Sequence, residues 1–327
     1  MPSSCTGRHD NLGENGKEPL TEKGFFSETK HNYRAYGLLF SSEVRIEHFS
    51  KAIGAEDPDV RIARGEIFGP AYTPPASIQI EASPGKLLLR GARSATILVT
   101  GGKSIVIEPL PKGNPATIMQ ILLGWALGGL FHQRAMLPLH GSALCRDDDC
   151  FVFCAPSGAG KSTLAASFLN RGFSFLDDNI ALADFEGGMA FIASGSPELR
   201  LWESAMPALE FEHETAGRIR PDMDKVSIIA RRKFRSDKAR LRKVFILRKS
   251  NETAVSFVTL TGGKKFQALL ENVFFIKLMK YHENSAGLFH LVYELAEKVP
   301  VTEIRLPGRL PTPDALCDII LGARVMQ

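Results

Sequence analysis

Residues 150–184 read CFVFCAPSGAGKSTLAASFLNRGFSFLDDNIALAD, and this run decides the fold. Cys150 to Cys154 is a short apolar, aromatic and β-branched stretch, as a buried strand would be. Ala155 to Ser162 (APSGAGKS) then fits the phosphate-loop pattern G-x-x-x-x-G-K-[ST], with Ala in the first glycine position, where the chain turns rather than touches phosphate. STLAASFLNRG carries apolar residues at Leu164, Ala165, Phe168 and Leu169 and ends at Gly172, which predicts a helix. FSFLDD is the next strand and finishes on two carboxylates.

Each residue type has a task in such a loop. Gly158 and Gly160 let successive N–H groups converge on an anion, and the helix that follows adds free N–H groups and the positive end of its dipole. Lys161 would reach the β- and γ-phosphate oxygens, and the Ser162 hydroxyl would ligate Mg²⁺. Pro156, Ser157, Gly158, Ala159, Gly160, Lys161, Ser162 and Thr163 are therefore the expected nucleotide-binding residues. The cofactors implied are ATP and Mg²⁺.

Outside this run the chain is ordinary in composition. Its 327 residues carry a net charge of +4, too little to imply nucleic acid. No apolar leader opens the sequence, and the most apolar run, Ile118 to Phe131, is shorter than the roughly 20 residues of a membrane span. Five cysteines, three of them close together at Cys145, Cys150 and Cys154, suit reduced thiols. These features predict a soluble, cytoplasmic protein with no membrane partner.

Residues 1–31 are polar and expected to form a disordered tail. From 32 to 112, short strand-like runs between Pro-Gly and Gly-Gly turns predict a small antiparallel β module. Pro111, Gly113 and Pro115 mark a boundary, and 113–327 reads as an α/β catalytic domain. It opens with a buried helix (ATIMQILLGWALGGLFHQRA), then the strand LPLHGSALCR and a hairpin tip at Asp147, Asp148 and Asp149. IALADFEGGMAFIAS is expected to be a hairpin, SGSPELRLWESAMPALE to lead into a helix, and KKFQALLENVFFIKLMKYHE to be one long helix. Residues 218–249 hold 13 Lys or Arg against three Asp, much of it outside obvious regular structure. That segment is either a solvated face or a surface for an acidic or phosphorylated partner.

Asp177 and Asp178 end the strand after the phosphate-loop helix and should lie near the γ-phosphate. Neighbours on a strand face opposite ways, so one of them is expected at the chemistry, holding Mg²⁺ or taking a proton from an attacking hydroxyl. His140 lies on the strand paired to the phosphate-loop strand through a tight hairpin, at the mouth of the site.

H-G-x-x-L from His140, PSGAGKS from Pro156 and R-G-F-x-x-x-D-D from Arg171 together resemble the catalytic domain of bacterial HPr serine kinase/phosphorylase. The resemblance implies a phosphate-loop kinase core of the HPr kinase and phosphoenolpyruvate carboxykinase type. It implies Lys161 on phosphate, Ser162 on Mg²⁺, Asp178 as the base for the acceptor serine, and His140 as the active-site histidine; the neighbouring Asp177 is then expected as a further Mg²⁺ ligand. Where that family has E-I-R-G-L-G-I, with its metal-binding Glu, this chain has RLWESAMPALEFE, leaving Glu203 as the substitute and phosphorylase activity outside what is implied. YRAYGLLFSSEV, LLGWALGGLFHQRAMLPLHGSAL and ELRLW before the basic segment are similar to the HPr-kinase-like proteins of lasso-peptide gene clusters. That likeness implies phosphorylation of the C-terminal serine of a precursor peptide, with Arg218, Arg220 and Lys225 as candidates for its carboxylate. A kinase of HPr-like protein or free serine, and an ATP-sensing regulator, are the alternatives. Homo-oligomerisation is a further expectation of the family.

Overall fold

The computed structural model describes residues 22–54, 56–67, 77–91, 93–156, 158–220, 223–281, 285–323 and 325–326. Most of the expected tail, 1–21, lies outside them, but its last residues do not. A turn of helix at Glu22–Phe25 leads directly into β1 (Phe26–Ala35), because Phe25 and Phe26 have apolar partners to bury against.

β1 begins an eight-stranded sheet with β2 (Leu38–Val44), β3 (Ser50–Lys51), β4 (Val60–Arg64), β5 (Gln79–Ser83), β6 (Lys86–Gly91), β7 (Ala95–Thr100) and β8 (Ser104–Pro109). Their order is β3-β1-β2-β4-β8-β7-β6-β5. The expectation of an antiparallel module is corrected here: β4 is parallel to both β2 and β8. Alternating apolar residues set single strands but not their neighbours, and the meander β5 to β8 returns the chain to β4 running the same way.

Residues 115–133 form one helical rod. Asn114 caps it by accepting from the Thr117 N–H, Pro115 takes the first turn where no N–H is needed, and a π-helical stretch at Ile121–Ala126 interrupts it. Its apolar residues lie in one buried cluster with the N-terminal sheet, and that cluster extends to Ile180 and Leu182 of the following sheet and to Ala193 just past β13.

The rest of the chain supplies β9 (Leu137–Arg146), β10 (Asp149–Cys154), β11 (Ser174–Asp177), β12 (Ile180–Glu186), β13 (Met189–Ile192), β14 (Glu198–Trp202), β15 (Glu214–Arg220), β16 (Met223–Ile229), β17 (Ala239–Lys249), β18 (Ser256–Leu260) and β19 (Val301–Leu306). β10 lies between β9, antiparallel, and β17, parallel, while β9 also pairs with β11 and β12. Side chains along β10 alternate as a strand requires: Phe151 and Phe153 pack under the phosphate-loop helix, Cys150, Val152 and Cys154 on the other face. Phe153, Phe168 and Phe245 meet in that first layer, each ring contributing about 2–3 kcal/mol of burial. Cys145, Cys150, Cys154 and Cys317 are free thiols and buried.

Three local expectations are corrected. ELRLW is strand β14, followed only by a 3-10 turn at Glu203–Ala208 with Pro207 inside it. The basic segment is mostly strand, in β15, β16 and β17; β14, β16 and β15 make a small third sheet. The long helix from Lys264 stops at Glu271, where the Val273 and Phe274 backbone turns to bond with β9. No helix among the described residues is long and apolar enough to cross a membrane.

Candidate active site

β10 ends at Cys154, and the chain enters the turn that sequence placed there. Gly158 (φ 82) and Gly160 (φ 85) are both left-handed, a conformation glycine adopts without a Cβ penalty; it turns neighbouring N–H groups toward one concavity. The helix Lys161–Asn170 follows directly and closes at Gly172 (φ 87), where the Phe173 N–H reaches back to the Phe168 carbonyl. Ser157 lies outside the described residues. Thr163 is in the first helical turn.

Lys161 is almost fully buried, and its ammonium points back across the loop. It donates to the Ala155 carbonyl at 2.7 Å, to Nε2 of His140 at 3.1 Å and toward the Pro156 carbonyl at 3.4 Å. His140 meets the Asn179 carbonyl with Nδ1 at 3.3 Å, so the imidazole is neutral with its proton on Nδ1. Burial, and then the Lys161 charge, push its pKa down to about 4.

The two adjacent aspartates are separated by function as well as by direction. Asp178 accepts from the Ser142 hydroxyl at 2.6 Å with Oδ1 and from the Arg200 N–H at 3.3 Å with Oδ2, and the nearby Ser162 hydroxyl favours its charged form. Burial raises its pKa, and those donors and Lys161 oppose the rise. Asp177 points away from the phosphate loop. Its Oδ1 accepts the N–H groups of Asn179 and Ile180, both at 2.7 Å, and its Oδ2 those of Tyr36 O–H at 2.8 Å and Ser196 N–H at 3.1 Å. Burial holds its carboxyl up to about 6, against the Ile180, Tyr36 and Asn179 donors that oppose the rise. The expected metal role of Asp177 is corrected on this ground, because every acceptor site faces a protein donor. Ser162 and Asp178 are hard oxygen donors side by side, and they fit a Mg²⁺ ion. Among the described residues no group of three His, Cys, Asp or Glu converges, so phosphate and water would complete the shell, as Mg²⁺ prefers.

A cleft of about 840 Å³ opens beside the loop. His140, Pro156, Gly158 and Ala159 line it, together with residues of β17 from Ile246 to Lys249, the Val273–Phe275 segment, Leu306 and Leu310. Its size and largely apolar walls suit a nucleoside.

The remaining candidates divide. Glu203 is exposed and paired with Arg218 at 2.7 Å; Arg218 is also bridged by Asp224 at 3.2 Å. Neither reaches the loop as a free charge. The Arg220 side chain lies outside the described residues. Lys225, paired in register with Trp202, lies with Nζ 5.2 Å from the indole, and its charge is felt at both His140 and Lys161. Sequence reading missed Ser142, Glu198, Arg200 and Tyr36. Ser142 had a signal, being two residues from His140 and so on the same strand face. Glu198 is buried with its carboxylate on Arg200 at 2.9 Å and Ser227 at 2.6 Å, which together with His48 bring its pKa down to about 2 against the desolvation that opposes them.

No protein-family model matches this chain, and no curated protein matches it. Among solved structures, the HPr(Ser) kinase/phosphatase from Coxiella burnetii matches 58% of this chain and 97% of its own, at 12% identity and a TM-score of 0.32. Both values are too low to assign a fold family or an activity.

Proposed function

We propose that this protein is an ATP- and Mg²⁺-dependent kinase that phosphorylates a serine hydroxyl, with the C-terminal serine of a ribosomally made precursor peptide as acceptor. The observation that carries the reading is the convergence of Lys161, Ser162 and Asp178 at one phosphate loop, where the Ser162 hydroxyl and the Lys161 charge both favour the ionised Asp178 carboxylate.

In this reading the loop N–H groups and Lys161 hold the phosphates, and bound Mg²⁺, held by Ser162 and Asp178, neutralises charge on them. Asp178 takes the proton of the acceptor hydroxyl as its oxygen attacks the γ-phosphorus. The bond from that phosphorus to the β–γ bridging oxygen breaks, and ADP leaves. His140 keeps Lys161 oriented without adding charge, since it stays neutral.

Intact-mass spectrometry tests the reading, with ATP, Mg²⁺ and a panel of acceptors: a peptide ending in serine, the same peptide ending in alanine, HPr and free serine. One phosphate on the serine-ending peptide alone is expected. Phosphate on HPr or free serine keeps the kinase and overturns the peptide; bound ATP with no transfer to any acceptor moves the protein to the ATP-sensing class.

A further inference from the structure

Asp177 is one residue from the proposed base, and what holds it comes from far away in sequence. Its Oδ1 closes the turn 177–180 by accepting the Asn179 and Ile180 N–H groups. From that turn Asp178 projects to Ser142 and Ser162, and the Asn179 carbonyl projects to Nδ1 of His140. The aim of both groups therefore depends on how firmly the Asp177 carboxylate is held.

On its other oxygen the Ser196 backbone and the Tyr36 hydroxyl donate. Tyr36 supplies the one side-chain donor of the four, and it comes from the N-terminal sheet, 141 residues away. It occupies the two-residue turn between β1 and β2 at φ 57, followed by Gly37 at φ 73, a turn in which Asn, Asp or Gly is the usual first residue. A large aromatic is kept there in a left-handed backbone. Three contacts fix it: its N–H donates to the Ser194 carbonyl at 2.6 Å, its ring meets Phe131 edge-on at 4.9 Å, and Gly195 lies against it with no space for a Cβ. The phenol is thus wedged against the carboxylate by both the β1–β2 turn and the 194–196 segment.

We propose that Tyr36 is a positioning residue for phosphoryl transfer: through its hydroxyl on Asp177, the N-terminal sheet fixes the 177–180 turn and with it the aim of Asp178 and His140. The proposal rests on the kinase reading above. Tyr36→Phe leaves Oδ2 with one donor, so the carboxylate can rotate and loosen its hold on the Asn179 and Ile180 amides. Nucleotide contacts, made by the loop itself, are untouched.

Tyr33→Phe is the control. Tyr33, on β1 just before that turn, is as buried as Tyr36, but its hydroxyl accepts the Ile46 N–H and touches neither aspartate. The expected result for Tyr36→Phe is a fall in kcat of at least about tenfold with nucleotide KM held within about twofold, while Tyr33→Phe keeps kcat within about twofold. Amide hydrogen exchange at Asn179 and Ile180 should quicken in Tyr36→Phe and stay as in wild type in Tyr33→Phe. Unchanged kcat in Tyr36→Phe, an equal loss in Tyr33→Phe, or a Tyr36→Phe protein that does not fold or bind nucleotide would each overturn the proposal. Amide exchange needs no acceptor. If wild type transfers no phosphate but the two amides still quicken, the kinase reading fails and the Tyr36 clamp on the turn stands; if wild type transfers phosphate and the amides do not change, the clamp alone is wrong.

Discussion

The Lys161 ammonium sits 3.1 Å from Nε2 of His140, a contact between the first residue of the phosphate-loop helix and the middle of the strand paired to β10. A buried ammonium needs acceptors, and here it has a loop carbonyl and a neutral imidazole but, among the described residues, no carboxylate within ion-pair distance. The charge is held in place without being neutralised, so it remains available to an incoming phosphate.

Lys161→Ala should therefore weaken nucleotide binding and lower kcat/KM for transfer by about 10²–10³-fold, as loss of one preorganised charged donor does. Calorimetric titration with ATP and Mg²⁺, alongside the mass assay, measures both. Wild-type affinity in the variant would mean that phosphate is held elsewhere.

The two aspartates should separate cleanly. Asp178→Asn keeps the side chain's shape and its contact with the Ser142 hydroxyl but cannot take a proton, so transfer should fall by about 10²–10⁴-fold with ATP still bound. Asp177→Asn turns an amide NH₂ toward protein donors and should cost about 1–3 kcal/mol of stability. Denaturant melts and rate measurements on both variants decide it. A lost rate in Asp177→Asn with unchanged stability, beside a near-normal Asp178→Asn, would exchange their roles.

What sequence made legible follows from distance along the chain. The strand, loop and helix of 150–172 are local, and glycine, apolar spacing and Lys161 each state their conformation within a few residues. His140 and Ser142 share a strand face and were within reach of the same reasoning. Parallel pairing of β4, by contrast, depends on a connection of some 40 residues that carries no pairing signal of its own. The choice of Asp178 over Asp177 for the loop is made by Tyr36 and Ser196, and Tyr36 in the sequence is one aromatic among many. ELRLW alternates polar and apolar residues as a strand does, so β14 was legible; what the alternation could not show is that its polar face is also buried, with Glu198 and Arg200 paired to each other.

Gly195 has a narrow tolerance. A Cβ there would stand 2.3 Å from Oδ2 of Asp177 and 2.6 Å from the Tyr36 ring, and neither neighbour is a flexible end. Gly195→Ala should destabilise by about 1–3 kcal/mol, as overpacking does, and reduce transfer as well. Gly187→Ala, at a hairpin tip with nothing within 4 Å, is strained by its φ of 56 but far from the site, and should lose stability without loss of transfer. Equal transfer rates in the two variants, after correction for folded fraction, would remove Gly195 from the site.

The pH dependence of stability gives a test of the His140 environment. Unfolded, an imidazole takes a proton near 6.5; in the fold His140 resists until about 4. Between those values the unfolded chain binds the extra proton, so this group's contribution to stability is lost as pH falls from about 6.5 toward 4. Asp177 acts in the opposite sense: with its carboxyl held up to about 6, the folded chain binds the extra proton, and its contribution grows as pH falls through the same range. The two offset in wild type, which should show a shallow profile there. His140→Gln removes only the first. The stability gap between wild type and His140→Gln should then shift toward the variant by up to about 3 kcal/mol between pH 7 and pH 4, measured by urea melts at each pH. A gap independent of pH would mean that His140 titrates normally, and that the Lys161 ammonium does not lie against it in solution.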